Sequence, residues 1–214
     1  MLGYVRRTLL TARQCDQPFC HWLLDDARPP FLADALAALP FAPPLIGDTE
    51  GKRETDNGTR RLVTPVERGA SPACASLADL LQDSATTALL GSVCGRSLAG
   101  SHLRIEYCQD TDGFWLEPHT DIAAKRFTML IYLSTHADAA EWGTDLFDAD
   151  LQPAGRSSGQ FNSGLMFLPA NDTWHGFARR PIAGVRRSII VNYVTPDWRS
   201  RHELAFPARP VSDV

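Results

Sequence analysis

His119, Asp121 and His175 are the residues of this chain whose types and spacing suit metal chemistry. In an extended strand, side chains two positions apart project to the same side. His119 and Asp121 therefore aim an imidazole and a carboxylate at one point, while Thr120 faces away. His175, in Trp174-His175-Gly176-Phe177, lies 56 positions after His119 and just beyond the apolar run Leu165 to Leu168. It can supply a third donor. Two imidazoles and one carboxylate on one face of a metal leave the opposite face open, the arrangement associated with non-haem Fe(II). A 2-oxo acid can take two of the open positions and dioxygen the third. Taken singly, His-x-Asp is a common tripeptide whose occurrences mostly ligate nothing, and a lone histidine such as His175 is more often a hydrogen-bonded structural one. His21, His102, His136 and His202 lack such company and read as surface or packing residues.

A second feature is the segment Gly184 to Tyr193. Read with period two, one face carries Arg186, Ser188, Ile190 and Asn192, and the other Val185, Arg187, Ile189, Val191 and Tyr193. The more polar face suits a cavity wall, and the more apolar face suits packing under helices. A dianionic ligand needs a partner that stays charged when desolvated, and a planar guanidinium matches a carboxylate bidentately. Arg186 fills that role, with the Ser188 hydroxyl beside it. On these residues alone, a solvated Arg186–Arg187 pair at a strand start remains the alternative.

The elements that must position these groups divide the chain in two. Pro18 to Ala27, Pro30 to Leu39 and Leu77 to Leu90 have apolar residues at helical spacing, and Gly47 to Thr59 reads as a polar loop. From Gly100 onward the pattern changes to short β-rich runs: Ser101 to Cys108, Phe127 to Ser134, Thr144 to Phe147, Leu165 to Leu168, and Gly184 to Val194. This predicts one domain over 1–214, with largely helical support over 1–99, a mainly β core over 100–195 and an irregular tail over 196–214. The 214 residues, 44% of them hydrophobic, suffice for a single buried core. A formal charge of −4 without a basic run predicts no nucleic-acid or anionic-membrane partner. No signal peptide or membrane span is legible, so a cytoplasmic location is expected. Five cysteines without a Cys-x-x-Cys pair predict free thiols.

In order along the chain stand Leu103 to Tyr107, His119-Thr120-Asp121, Arg126 to Leu133, Gly143 to Phe147, Gly164 to Phe167, His175, and Gly184, Arg186 and Ser188 as Gly-x-Arg-x-Ser. This series resembles the Fe(II)/2-oxoglutarate-dependent oxygenase superfamily, and within it the prolyl-hydroxylase-like branch. The resemblance implies a double-stranded β-helix, or jelly roll, with N-terminal helices packed on its major sheet. It implies Fe(II) held by His119, Asp121 and His175, with 2-oxoglutarate and dioxygen as co-substrates. It further implies that Tyr132 donates its hydroxyl to the distal carboxylate beside Arg186 and Ser188, and that Tyr107 lies near the same ligand. Two departures stand out. The Tyr107-to-His119 segment is longer than usual, which suggests a loop over the cavity mouth, and Trp142 replaces the first glycine of a pair. Asp121 disfavours a halogenase, whose site lacks that carboxylate.

The leading expectation is a dioxygenase that hydroxylates an unactivated C–H bond of a small molecule, releasing CO2 and succinate. A peptidyl, prolyl-type hydroxylase is the alternative, and desaturation or cyclisation would use the same site. A cupin-like metal enzyme that does not use 2-oxoglutarate leaves Arg186 and Ser188 without a role. A non-catalytic scaffold leaves the whole donor set without one.

Overall fold

The computed structural model describes residues 2–43, 45–46, 49–52 and 60–212. Most of the loop expected at 47–59 therefore lies outside the described residues. Two antiparallel sheets face one another. The larger contains, in order, β1 (Arg13–Cys15), β2 (His21–Leu24), β9 (Gly164–Phe167), β6 (Lys125–Tyr132), β11 (Arg186–Val194), β4 (His102–Asp110) and β3 (Arg60–Leu62). The smaller contains β5 (Leu116–His119), β10 (His175–Phe177), β7 (Asp145–Phe147) and β8 (Pro153–Arg156). This is the jelly roll that the sequence implied.

The larger sheet has two differently populated faces because its central strands alternate in polarity. Leu103, Ile105 and Tyr107 of β4, Phe127, Met129 and Ile131 of β6, and Ile189, Val191 and Tyr193 of β11 form one apolar surface, buried beneath the helices. Among the described residues the α-helices are α1 (Leu2–Leu10), α2 (Pro30–Ala37), α3 (Pro65–Ala70), α4 (Pro72–Gln82) and α5 (Ser84–Cys94), and α1, α2, α4 and α5 place residues in this core. Leu77, Ala78 and Leu81 of α4 enter the same core, and the Tyr193 hydroxyl donates to the Leu81 carbonyl at 2.5 Å. A hydroxyl buried there would be costly without that acceptor.

The run Leu77 to Leu90, expected as one helix, is divided at Asp83. That residue is extended (ψ 130°), ends α4, and caps α5 by accepting from the Thr86 amide at 2.9 Å. Pro18 to Ala27, also expected to be helical, instead contains β2. His21-Trp22-Leu23-Leu24 pairs with β9, Trp22 opposite Met166, so sheet pairing overrides a short helical spacing. Over 196–212 the tail has no strand or α-helix but is anchored, with Leu204, Ala205, Phe206 and Val211 buried and the Ala205 amide donating to the Leu103 carbonyl at 2.9 Å. No helix among the described residues is long and apolar enough to cross a membrane.

Candidate metal and co-substrate site

The site lies between the sheets, and the smaller sheet brings its two histidines together. β5 and β10 pair antiparallel with His119 and His175 as direct partners, and their ring centroids are 4.4 Å apart. Gly176 permits this closeness, since a Cβ there would lie 2.7 Å from the Leu116 carbonyl oxygen. Each imidazole is oriented the same way: His119 Nδ1 lies 2.9 Å from the Glu117 carbonyl oxygen, and His175 Nδ1 lies 2.9 Å from that of Thr173. A carbonyl can only accept, so Nδ1 carries the proton and Nε2 presents its lone pair inward.

Asp121 completes the set, with one ligand atom from each of the three residues lying within 4.8 Å of the others. Its carboxylate is tightly held. Thr128 Oγ1 donates to Oδ2 at 2.6 Å, and Lys125 Nζ donates to Oδ1 at 2.5 Å. Thr128 in turn accepts from Asn192 Nδ2 at 2.9 Å. Two neutral imidazoles and one fixed carboxylate suit a divalent first-row cation and leave half its sphere to ligands from outside the chain. Thr128→Val keeps the side-chain shape but removes the donor to Asp121. It is expected to weaken Fe(II) binding by about 10–100-fold, the usual effect of losing a ligand's hydrogen-bond partner. Calorimetry with Fe(II) checks this, and an unchanged affinity would mean that Lys125 alone suffices.

The same cavity is bounded by Arg186 and Ser188. Arg186 is 6% exposed, its Nε donates to the Trp142 carbonyl at 2.6 Å, and its guanidinium lies 4.5 Å from the Phe177 ring centroid. Trp142, the departure from the usual glycine pair, thus orients the arginine with its backbone. Gly143 must follow it, because a Cβ there would lie 1.7 Å from the Ser157 carbonyl oxygen. The Ser188 hydroxyl is buried without a hydrogen-bond partner among the described residues, so it is available to a ligand in the cavity. Tyr132 lies beside Arg186, with its ring centroid 5.9 Å from the guanidinium carbon. Its hydroxyl meets Thr144 Oγ1 at 2.8 Å and Ser157 Oγ at 2.7 Å.

Tyr107 does not join this group, which corrects the expectation drawn from the resemblance. It packs in the helix-side core with its ring 5.4 Å from that of Phe41, and burial pushes its hydroxyl pKa up. The alternation of β4 is the reason. Tyr107 shares a face with Leu103 and Ile105, whereas Cys108 and Asp110 face the cavity. The long Tyr107-to-His119 segment does reach over the cavity, but most of its length is strand. β4 continues to Asp110 and β5 begins at Leu116, so only a short turn remains, from which Phe114 seals the cavity at 3% exposure.

Sequence reasoning missed Arg60 and Asp110. Arg60 reaches the cavity from β3 and donates to Glu106 Oε2 at 3.2 Å. Burial works against its charge, but Cys108, Glu106 and Asp110 outweigh this and raise its pKa above the ordinary arginine value. The Asp110 carboxylate pairs with Arg186 Nη1, its cross-strand neighbour. No disulfide joins the cysteines among the described residues, and burial pushes the Cys94 thiol pKa up to about 12.

No protein-family model matches the sequence, and no curated protein matches it. Solved structures do. A prolyl-4-hydroxylase from Pseudomonas putida aligns over 91% of this chain and 99% of its own, with 16% identity and a TM-score of 0.57. The chain has the prolyl-hydroxylase fold. Prolyl 4-hydroxylase from Phytophthora capsici shares that fold over 91% of this chain and 65% of its own, with 12% identity and a TM-score of 0.61. So does a prolyl hydroxylase from Trichoplax adhaerens, in complex with a hypoxia inducible factor peptide fragment, over 90% and 88% of the two chains, with 15% identity and a TM-score of 0.55. In this prolyl-hydroxylase fold, the cavity between the sheets carries the His119, Asp121 and His175 cluster at one end and Arg186 further along its wall.

Proposed function

We propose that this protein is an Fe(II)- and 2-oxoglutarate-dependent dioxygenase, a single domain over 1–214 that hydroxylates an unactivated C–H bond of a small molecule. The observation that carries the reading is the convergence of two imidazoles and one carboxylate in a cavity that also contains a buried guanidinium. The donor set fits Fe(II), which His119, Asp121 and His175 would hold. Iron bound there supplies the coupled chemistry in which dioxygen oxidises 2-oxoglutarate to succinate and CO2 and one oxygen atom enters the substrate. The chain's own residues bind and orient. Arg186 and Ser188 take the distal carboxylate of 2-oxoglutarate, with Tyr132 beside them, and Phe114 and Phe177 exclude water from that end.

Substrate reaches the metal from the other side. A second cavity of about 310 Å³ shares His119 and Asp121 with the first and is bounded by Lys52, Arg104, Glu106, Glu117 and Lys125. Its size and mixed charge support a small polar molecule as substrate. The peptidyl alternative draws on the Trichoplax adhaerens relative by fold, which is in complex with a peptide.

The reading is tested by supplying Fe(II), dioxygen and 2-oxoglutarate and measuring succinate and CO2. Equal amounts of both, rising when polar small molecules are added, are expected. A rise with proline-containing peptides alone would favour the second reading, and no consumption of 2-oxoglutarate would leave a cupin-like metal enzyme.

A further inference from the structure

We propose that the distal carboxylate of the co-substrate binds Arg186 by displacing Asp110, so that Asp110 sets the affinity of the cavity for a 2-oxo diacid. This rests on the co-substrate reading above and adds a residue that the resemblance did not assign. Asp110 is the last residue of β4 and the direct cross-strand partner of Arg186. Its side chain is 1% exposed, and its Oδ2 pairs with Arg186 Nη1. Any carboxylate arriving at Arg186 therefore meets a guanidinium that already holds one.

The way Asp110 is held identifies it as a competitor and not as a brace. Its other oxygen, Oδ1, is buried with no hydrogen-bond partner among the described residues. A carboxylate oxygen in that position has lost water and gained nothing, which makes the bound arrangement costly. Asp145, 7% exposed at its side chain, shows what a bracing carboxylate looks like in this protein. It accepts from Arg156 Nε at 2.7 Å, from the Ala178 amide at 2.7 Å and from Arg180 Nη2. Asp121 likewise has a donor on each oxygen.

Asp110 also has somewhere to go. Gly113, with a φ of +91°, lies in the turn directly beyond it, so Asp110 stands at a strand end and not mid-sheet. The second guanidinium of the cavity, Arg60, already feels the Asp110 charge. When a ligand carboxylate takes Arg186, Asp110 therefore stays close to a cation, and the exchange swaps one ion pair for another without leaving a charge alone. The cavity is small, about 40 Å³, and Asp110 stands in its wall with Arg186, where an arriving carboxylate must bind. A 2-oxo monoacid has no distal carboxylate and makes no such demand.

The test is anaerobic calorimetry on the Fe(II)-loaded protein with 2-oxoglutarate and, separately, pyruvate. Asp110→Asn is expected to tighten 2-oxoglutarate binding by about tenfold or more and to leave pyruvate binding within about twofold. Asp110→Ser removes the competing charge with a smaller side chain and gives the same reading if the amide variant fails to fold. Weaker or unchanged 2-oxoglutarate binding in the folded variants would overturn the proposal and make Asp110 a brace for Arg186. Absence of 2-oxoglutarate binding in wild type and variants alike would instead overturn the co-substrate reading beneath it.

Discussion

Asp121→Ala is expected to reduce Fe(II)-dependent turnover of 2-oxoglutarate to background while leaving the far-ultraviolet circular dichroism unchanged. Asp121 is the anionic donor of the set, and two imidazoles alone neither balance the charge of a divalent cation nor fix three adjacent coordination positions. Losing a ligand should cost more than the roughly 100-fold that follows loss of a ligand's hydrogen-bond partner. Asp121→Glu keeps the charge but moves it, and a displacement of about 1 Å at a reacting centre costs on the order of 100-fold. The glutamate variant should therefore bind some metal yet turn over poorly. Metal content and succinate release, measured on the same samples, separate these effects. Full activity in the alanine variant would remove Asp121 from the site.

Arg186→Ala carries the second large effect, and it has two parts. The apparent KM for 2-oxoglutarate should rise by about 100-fold, since a charge-assisted bidentate contact is lost from a desolvated cavity. Stability should also fall, but by less than the roughly 3–5 kcal/mol of an uncompensated buried charge, because Arg60 remains near Asp110 once Arg186 is gone. The double variant Arg186→Ala with Asp110→Asn tells the parts apart. It is expected to regain most of the stability in denaturant unfolding without regaining affinity for 2-oxoglutarate. An unchanged KM in Arg186→Ala would place the distal carboxylate elsewhere, with Arg60 as the remaining guanidinium of that cavity.

Much of the core was legible because β polarity alternates with period two. Arg186, Ser188, Ile190 and Asn192 read as one face of a strand, and that face does look into the space between the sheets, while Ile189, Val191 and Tyr193 meet the helices. The same rule applied to β4 separates Leu103, Ile105 and Tyr107 from Arg104, Glu106, Cys108 and Asp110, and it would have removed Tyr107 from the site. The resemblance drew Tyr107 in where its own strand argued against it. Asp110 was hidden differently. It lies just past the expected end of the strand at Cys108, and only cross-strand register with Arg186 shows that the two charges meet. Arg60 comes from a three-residue strand too short to announce itself by pattern. The β2 strand escaped because four residues between turns carry no period of their own, and their pairing with β9 is a long-range fact.

The central claim is that His119, Asp121 and His175 hold one iron that a 2-oxo acid can also chelate. It is tested most directly by titrating the protein with Fe(II) and 2-oxoglutarate under strictly anaerobic conditions while recording the visible spectrum. A weak charge-transfer band that requires both additions, saturates at one iron per chain and disappears in His175→Ala is the predicted result. A wild-type protein that binds Fe(II) yet gives no such band at saturating 2-oxoglutarate would contradict the account.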